Sequence, residues 1–329
     1  MLPPRVRHAP LFMTFCLGLM VVSCGRDRTA DDGNARAPGS TSARRPKVAL
    51  VMKSLANDFF KSMADGAESH HRAHAGEYEL VVNGIKDESD LGQQVALVEQ
   101  MIGSGVSAIV IAPADSRALV PVLRRALARG IVVVNIDNRL DSAVLAQEGV
   151  DIPFVGPDNR AGARKVGDVL ASRLKQGDEV AILEGIPTAY NGQQRRLGFE
   201  EAMREHGMRI VAVQSAAWEQ DKAFSVVSAW MRERPALKAV LASNDNMALG
   251  AAAAIRQASR VGEVQVVGFD NIGAVQSLLQ DGRILATADQ HADRLATFGI
   301  EYALDLIKGK SRPHDRETDV DIIAPRASR

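Results

Sequence analysis

Aromatic residues make up only 4% of the 329-residue chain, and it holds just two cysteines, Cys16 and Cys24. So few thiols exclude a scaffold stapled by disulfides, and the fold must rest on a full-sized apolar core, which 46% hydrophobic content can supply. A surplus of charge is also missing, since 40 Lys and Arg balance 40 Asp and Glu. Without net charge there is no field to steer the chain onto a polyanion, and no obvious helix-turn-helix segment precedes the first strand pattern, so nucleic acid is not an expected partner. The motifs of nucleotide and acyl chemistry are lacking as well: there is no Gly-x-Gly-x-x-Gly after the first strand pattern, no Walker A loop and no Gly-x-Ser-x-Gly elbow. These absences disfavour an enzyme, and no cofactor is expected.

What is present begins with a processing signal. Arg5 and Arg7 precede an apolar run from Leu11 to Val22, about a dozen residues, which suits a secretory h-region and is too short to span a bilayer. The segment Val21-Val22-Ser23-Cys24-Gly25 resembles the bacterial lipoprotein processing box. That resemblance implies removal of residues 1–23 and a lipid on Cys24, which would anchor an exported chain to a membrane without crossing it. An ordinary secretory signal with a chance cysteine is the alternative, and it exports the chain too. Residues 24–45, rich in Gly, Ala, Ser, Asp and Arg, read as a disordered tether.

Beyond the tether, short β-branched runs alternate with amphipathic stretches. Strands are expected at Val48 to Met52, Glu79 to Val82, Ala108 to Ile111, Ile131 to Ile136 and Phe154 to Gly156. Five more are expected at Val180 to Glu184, Ile210 to Gln214, Ala239 to Ala242, Gln265 to Phe269 and Leu285 to Ala288. Nearly all are continuously apolar, as parallel sheets covered on both faces require. Leu91, Val95, Val98 and Ile102 show the helical stripe between them. Strict alternation predicts an α/β fold of two doubly wound parallel-sheet lobes joined by a multi-crossing hinge. Residues 46–157 plus 291–321 would form the N-terminal lobe, and 158–290 plus 322–329 the C-terminal lobe, with Pro157 ending a strand and Asp158 capping the next helix.

In open α/β sheets ligands bind beyond the carboxyl ends of the strands. There the first strand offers Lys53, Asn57, Phe59 and Phe60, and the fourth offers Asp137, Asn138 and Arg139. In the second lobe the corresponding positions are Asn191, Gln193 and Arg195, then Trp218, Ser243-Asn244-Asp245, Asp270-Asn271 and Asp289-Gln290. Carboxylates, amides and cations beside flat aromatic faces suit a sugar ring, with its hydroxyl edge and C–H faces. The bland reading of Asp137, Asn244 or Asp270 taken singly is a helix cap, and that of the aromatics is plain core. Capping alone does not explain why three of so few aromatics stand beside these polar strand ends.

On the segments Leu50 to Phe60, Asn135-Ile136-Asp137, Arg195 to Phe199, Asn244 to Gly250 and Val266 to Asp270, the chain resembles the type I periplasmic sugar-binding proteins, the family of the ribose- and D-allose-binding proteins, from Lys47 to about Lys310. The resemblance implies an ABC importer's substrate-binding protein, without catalytic machinery, that closes two lobes on a monosaccharide and hands it to a permease. It also implies that Asn57, Asp137, Arg195, Asn244, Asp270 and Gln290 hydrogen-bond the sugar while Phe59, Phe60 and Trp218 sandwich its ring. Ribose-type members carry serine where this chain has Lys53 and arginine where it has Asn138. Lys53 and Trp218 look like the allose type, which points to an allose- or psicose-like hexose ahead of a ribose-like pentose. A monomer is expected. Docking on a chemoreceptor or histidine kinase is the alternative role, whereas a transcription regulator of similar fold is excluded by export. His70 and His74 have the i, i+4 spacing that can chelate zinc, but no third ligand can be placed, and imidazoles at a helix C-terminus suit its dipole.

Overall fold

The computed structural model describes residues 45–325. The expected signal segment, Cys24, nearly all of the tether and the last four residues lie outside the described residues. The first lobe runs β1 (Lys47–Ser54), α1 (Asp58–Ala73), β2 (Glu79–Ile85), α2 (Leu91–Gly103), β3 (Ala108–Ile111), α3 (Val120–Ala128), β4 (Val132–Ile136), α4 (Ser142–Gln147) and β5 (Phe154–Pro157). The second runs α5 (Asn159–Ala171), β6 (Glu179–Glu184), α6 (Tyr190–Glu205), β7 (Arg209–Ser215), α7 (Gln220–Glu233), β8 (Leu237–Ala242), α8 (Asp245–Gln257), β9 (Gln265–Phe269), α9 (Gln276–Gln280) and β10 (Ala286–Asp289). The chain then returns through α10 (Ala292–Ile307) and ends in β11 (Arg316–Thr318) and β12 (Asp321–Ile323).

The strand orders are β2-β1-β3-β4-β5-β11 and β7-β6-β8-β9-β10-β12, the same winding twice. All pairings are parallel except β10 with β12, where Thr287 faces Ile323. Val48 through Met52 and all of β3 are fully buried, because helices cover both faces of each sheet. Each large apolar side chain so buried contributes roughly 1.5 to 3 kcal/mol. The helix pairs approach closely at glycine, since a Cβ at Gly198 would meet the Arg160 carbonyl and one at Gly250 the Gln220 carbonyl.

All ten expected strands are present, and β11 and β12 add a short edge to each sheet. Asp321 pairs with Asp289 in the second sheet, so the last crossing lies ahead of Asp321 and not after it as the sequence pattern predicts. Half of the ten α-helices among the described residues start on their own N-cap side chains: Asn57, Asp90, Asp141, Asp158 and Asn244 accept from backbone amides of α1, α2, α4, α5 and α8. Helix α6 has no such cap from its own N-cap residue, Ala189.

Two buried polar side chains pin the strand ends that carry the site. Gln94 donates to the carbonyls of Met52 (3.2 Å) and Ala112 (2.9 Å) and accepts from the Ala114 amide (2.8 Å), locking β1 against β3. In the second lobe Asp245 accepts from the Thr287 hydroxyl (2.8 Å) and the Ile272 amide (3.0 Å).

Candidate functional site

The carboxyl ends of the two sheets face each other, and between them lies a cavity of about 230 Å³. From the first lobe it is lined by Lys53, Asn57, Phe59, Phe60, Glu88 and Asp137, and from the second by Asn191, Arg195, Trp218, Asn244, Asp270 and Gln290. Ten of the eleven residues expected from the sequence therefore meet around one space.

The eleventh, Asn138, does not line it. Its amide group is fully buried and engaged elsewhere: Nδ2 donates to the Pro113 carbonyl (2.9 Å), and Oδ1 accepts from the Asn191 amide (3.1 Å) and the Ser116 hydroxyl (3.3 Å). The three-residue turn that ends β4 aims Asp137 at the cavity and turns Asn138 away from it. Gln193, exposed, donates to the Pro187 carbonyl (2.7 Å) and also lies outside the lining.

Each lining residue is held by the element that presents it. Asn57 caps α1 through Oδ1 and donates from Nδ2 to Glu88 (3.1 Å), so one side chain serves both helix and cavity. Asn244 likewise caps α8 and donates to the Trp218 carbonyl (3.3 Å). Arg195 donates from Nε to Asn159 (2.8 Å) and from Nη1 to the Ser243 carbonyl (2.9 Å), with Asp270 at 3.4 Å. Gln290 donates to Asp270 (2.8 Å). The Trp218 ring lies on Gly185, where any Cβ would collide with it.

Backbone strain concentrates here. Asp137 (φ 61°), Trp218 (φ 70°) and Asp270 (φ 113°) carry positive φ, as do their neighbours Ala217 and Asn271 and, next to Gln290, His291. Such values are uncommon for residues with a Cβ and persist where the surroundings over-determine them, most often at functional sites.

The electrostatics are those of a buried, mixed-charge cluster. Lys53, 2% exposed, lies 3.0 Å from Asp137 and 4.0 Å from Glu88, and stands 5.6 Å from the Phe60 ring centre. The close Lys53 contact to Asp137 Oδ2 lies off the direction of a hydrogen bond, so that oxygen has a countercharge but no donor. Arg195 Nη2, Gln290 Oε1 and Trp218 Nε1 likewise have no hydrogen-bond partner among the described residues. Buried polar atoms are nearly always paired in folded proteins. Acceptors and donors of this kind, side by side with aromatic faces, match the edge and faces of a polyhydroxylated ring.

Burial pushes the Asp270 carboxyl up to about 7, against the pull of Arg195 and with help from Asp137. Burial also raises Glu88 and holds Asp245 well above the usual carboxylate range. A carboxyl that holds its proton more tightly when folded adds stability below its unfolded value near 3.9, and loses that contribution as pH rises through the folded value. The ligand-free protein should therefore lose stability between about pH 4 and 7, by roughly 4 kcal/mol at most from Asp270. Denaturant titrations across this range should show a flatter profile for Asp270→Asn than for the wild type.

Glu88, which lines the cavity, and Asn159, which accepts from Arg195, are positions that the strand-end reading does not include. Glu88 follows β2, whose apolar pattern ends at Val82 while the strand runs on to Ile85, so its polar loop lies beyond the strand end that the pattern predicts. Asn159, which orients Arg195, carries no local signal. Among the described residues no group of three or more His, Cys, Asp or Glu side chains is arranged to hold a metal. His70 is engaged by the Tyr78 hydroxyl (2.8 Å) and Glu301 (3.4 Å), and His74 by the His70 carbonyl (2.9 Å).

Residues 48–311 match the family model described as periplasmic binding protein domain. The chain belongs to this family. Among its periplasmic binding protein relatives, the D-ribose/D-allose-binding protein of Pseudomonas aeruginosa is 57% identical over 283 residues, covering 85% of this chain and 89% of that one. The D-allose-binding periplasmic protein of Escherichia coli is 32% identical over 289 residues, 86% of this chain and 92% of that one. Of the solved structures, an ABC transporter solute-binding protein from Burkholderia multivorans is 55% identical with a TM-score of 0.84, covering 86% of this chain and 100% of that chain. Another, from Actinobacillus succinogenes with bound D-allose, is 35% identical with a TM-score of 0.81, covering 85% and 98%.

Proposed function

We propose that the protein is the substrate-binding component of an ABC sugar importer, closing its two lobes over one monosaccharide. The observation that carries this reading is the buried cavity, with its polar atoms that have no hydrogen-bond partner among the described residues and its three aromatic rings drawn from both lobes. The named ligands of the Pseudomonas, Escherichia and Actinobacillus relatives support it. Membership of the family makes this an exported periplasmic protein of carbohydrate transport. Among the described residues no helix is long and apolar enough to cross a membrane.

The sugar is read as an allose- or psicose-like hexose, with a ribose-like pentose next. Lys53 favours the hexose, because an ammonium between two carboxylates adds a donor and two acceptors deep in the first lobe. Asn57, Asp137, Arg195, Asn244, Asp270 and Gln290 hydrogen-bond the hydroxyls, and Phe59, Phe60 and Trp218 cover the ring. Glu88 and Asn191 join them. The protein binds and releases its ligand unchanged, as a monomer tethered through a lipid on Cys24.

A thermal-shift screen with allose, psicose, ribose, xylose, galactose and polyols tests the reading. A true ligand at about a hundred times its dissociation constant should add roughly 2.7 kcal/mol of stability. Because sugar hydroxyls donate to a carboxylate, binding favours ionised Asp270 and should tighten as pH rises towards and through about 7. A screen with no stabilising sugar would count against the proposal.

A further inference from the structure

The N-terminus of α6 is capped from the other lobe. The amides of its first three residues, Tyr190, Asn191 and Gly192, need acceptors outside the helix, and the N-cap residue Ala189 provides none from its side chain. Gly192 finds the Asn191 side chain (2.8 Å). The other two donate across the cleft: Tyr190 N–H to Ser116 Oγ (3.0 Å) and Asn191 N–H to Asn138 Oδ1 (3.1 Å). Both acceptors belong to the first lobe, on the loops that follow β3 and β4. Asn138 is held in place by the Pro113 carbonyl, and Ser116 donates its own proton to Asn138 Oδ1 (3.3 Å), which leaves its lone pairs for Tyr190. The acceptors are 4% and 0% exposed, so these are buried bonds.

From this arrangement we infer that Ser116 and Asn138 are positioning residues that set sugar affinity without touching the sugar, by capping α6 only when the lobes are closed. The inference rests on the sugar-binding reading, since α6 carries Asn191 and Arg195, which line the cavity. Opening the cleft would return both amides to water. The bonds therefore belong to the closed state alone and shift the open-closed equilibrium towards it. A binding-competent state that is less populated weakens apparent affinity by the same factor.

The test compares Ser116→Ala and Asn138→Ala with the wild type by stopped-flow binding of the sugar found in the screen and by amide hydrogen exchange. Losing one such bond should raise the apparent dissociation constant about fivefold for Ser116→Ala, and about tenfold for Asn138→Ala, through faster release at an unchanged association rate. Exchange at Tyr190 and Asn191 in the sugar-bound protein should accelerate while the melting temperature of sugar-free Ser116→Ala stays that of the wild type. Wild-type release from Ser116→Ala overturns the inference, and so does a fall in sugar-free stability with release unchanged. Equal exchange at Tyr190 and Asn191 in the sugar-bound wild type and variants overturns it as well, whereas a wild type that binds no sugar in the screen counts against the sugar reading alone.

Discussion

Replacing Arg195 with methionine is expected to abolish measurable sugar binding, lowering affinity by roughly a thousandfold or more. The guanidinium is 2% exposed and fixed on three sides, by Asn159, by the Ser243 carbonyl and by Asp270, while its plane stacks 3.8 Å from the Phe269 ring centre. The one arm with no partner among the described residues, Nη2, is a donor already oriented and dehydrated, so a hydroxyl that accepts from it needs no further ordering. Removing the cation also leaves Asp270 among the carboxyls of Asp137 and Glu88 with no countercharge of its own, and drives its proton affinity higher still. Truncating one partner of a buried, hydrogen-bonded charge pair costs about 2 to 5 kcal/mol before any sugar contact is counted. Methionine keeps the apolar stem, so the variant should fold, as circular dichroism can verify. Calorimetric affinity within tenfold of the wild type would show that Arg195 is structural. Lysine should not rescue, because it cannot reach Asn159, Ser243 and a sugar hydroxyl together.

The second large effect belongs to Asp137→Asn, for which affinity should fall about a hundredfold or more and the sugar-free protein should lose roughly 2 kcal/mol. Asparagine is close in size and tolerates the positive φ of this position (61°), so the change isolates the charge from the backbone. Lys53 would then keep only Glu88, at 4.0 Å, as a countercharge in a nearly dry site. Adding Lys53→Met should restore the lost stability, because a buried ion pair replaced whole by neutral groups is often neutral or better, while sugar affinity stays low. Urea denaturation and calorimetry on the four members of this cycle separate the two effects. If the double variant regains affinity along with stability, Lys53 and Asp137 hold each other and not the ligand.

These residues show how far the chain could be read in advance. The apolar runs were long enough, and buried enough on both faces, for ten strands and two sheets to follow from periodicity alone. The edge strands were not readable: Arg316 to Thr318 and Asp321 to Ile323 are three residues each, and only pairing with the distant β5 and β10 makes them strands. The rule that pocket groups follow strand ends predicts Lys53, Asp137, Trp218, Asn244, Asp270 and Gln290, all of which line the cavity, and it does not reach Glu88 because β2 runs three residues past its apolar stretch. Asn138 shows the limit of that rule. Whether an amide at a strand end faces the ligand or turns away depends on acceptors and donors such as the Pro113 carbonyl and the Asn191 amide, which lie 25 and 53 residues away along the chain. Asn57 and Asn244 show that capping and lining are not alternatives, since each does both with different atoms of one amide.

Isothermal titration of the ligand-free protein with allose, psicose, ribose, xylose, galactose and a polyol tests the central claim most directly. One monosaccharide should bind at one site per chain with a dissociation constant near ~1 μM, about −8 kcal/mol, and Arg195→Met should remove its heat. No heat from any of these sugars, or binding that survives intact in Arg195→Met, would contradict the assignment of this cavity to a sugar.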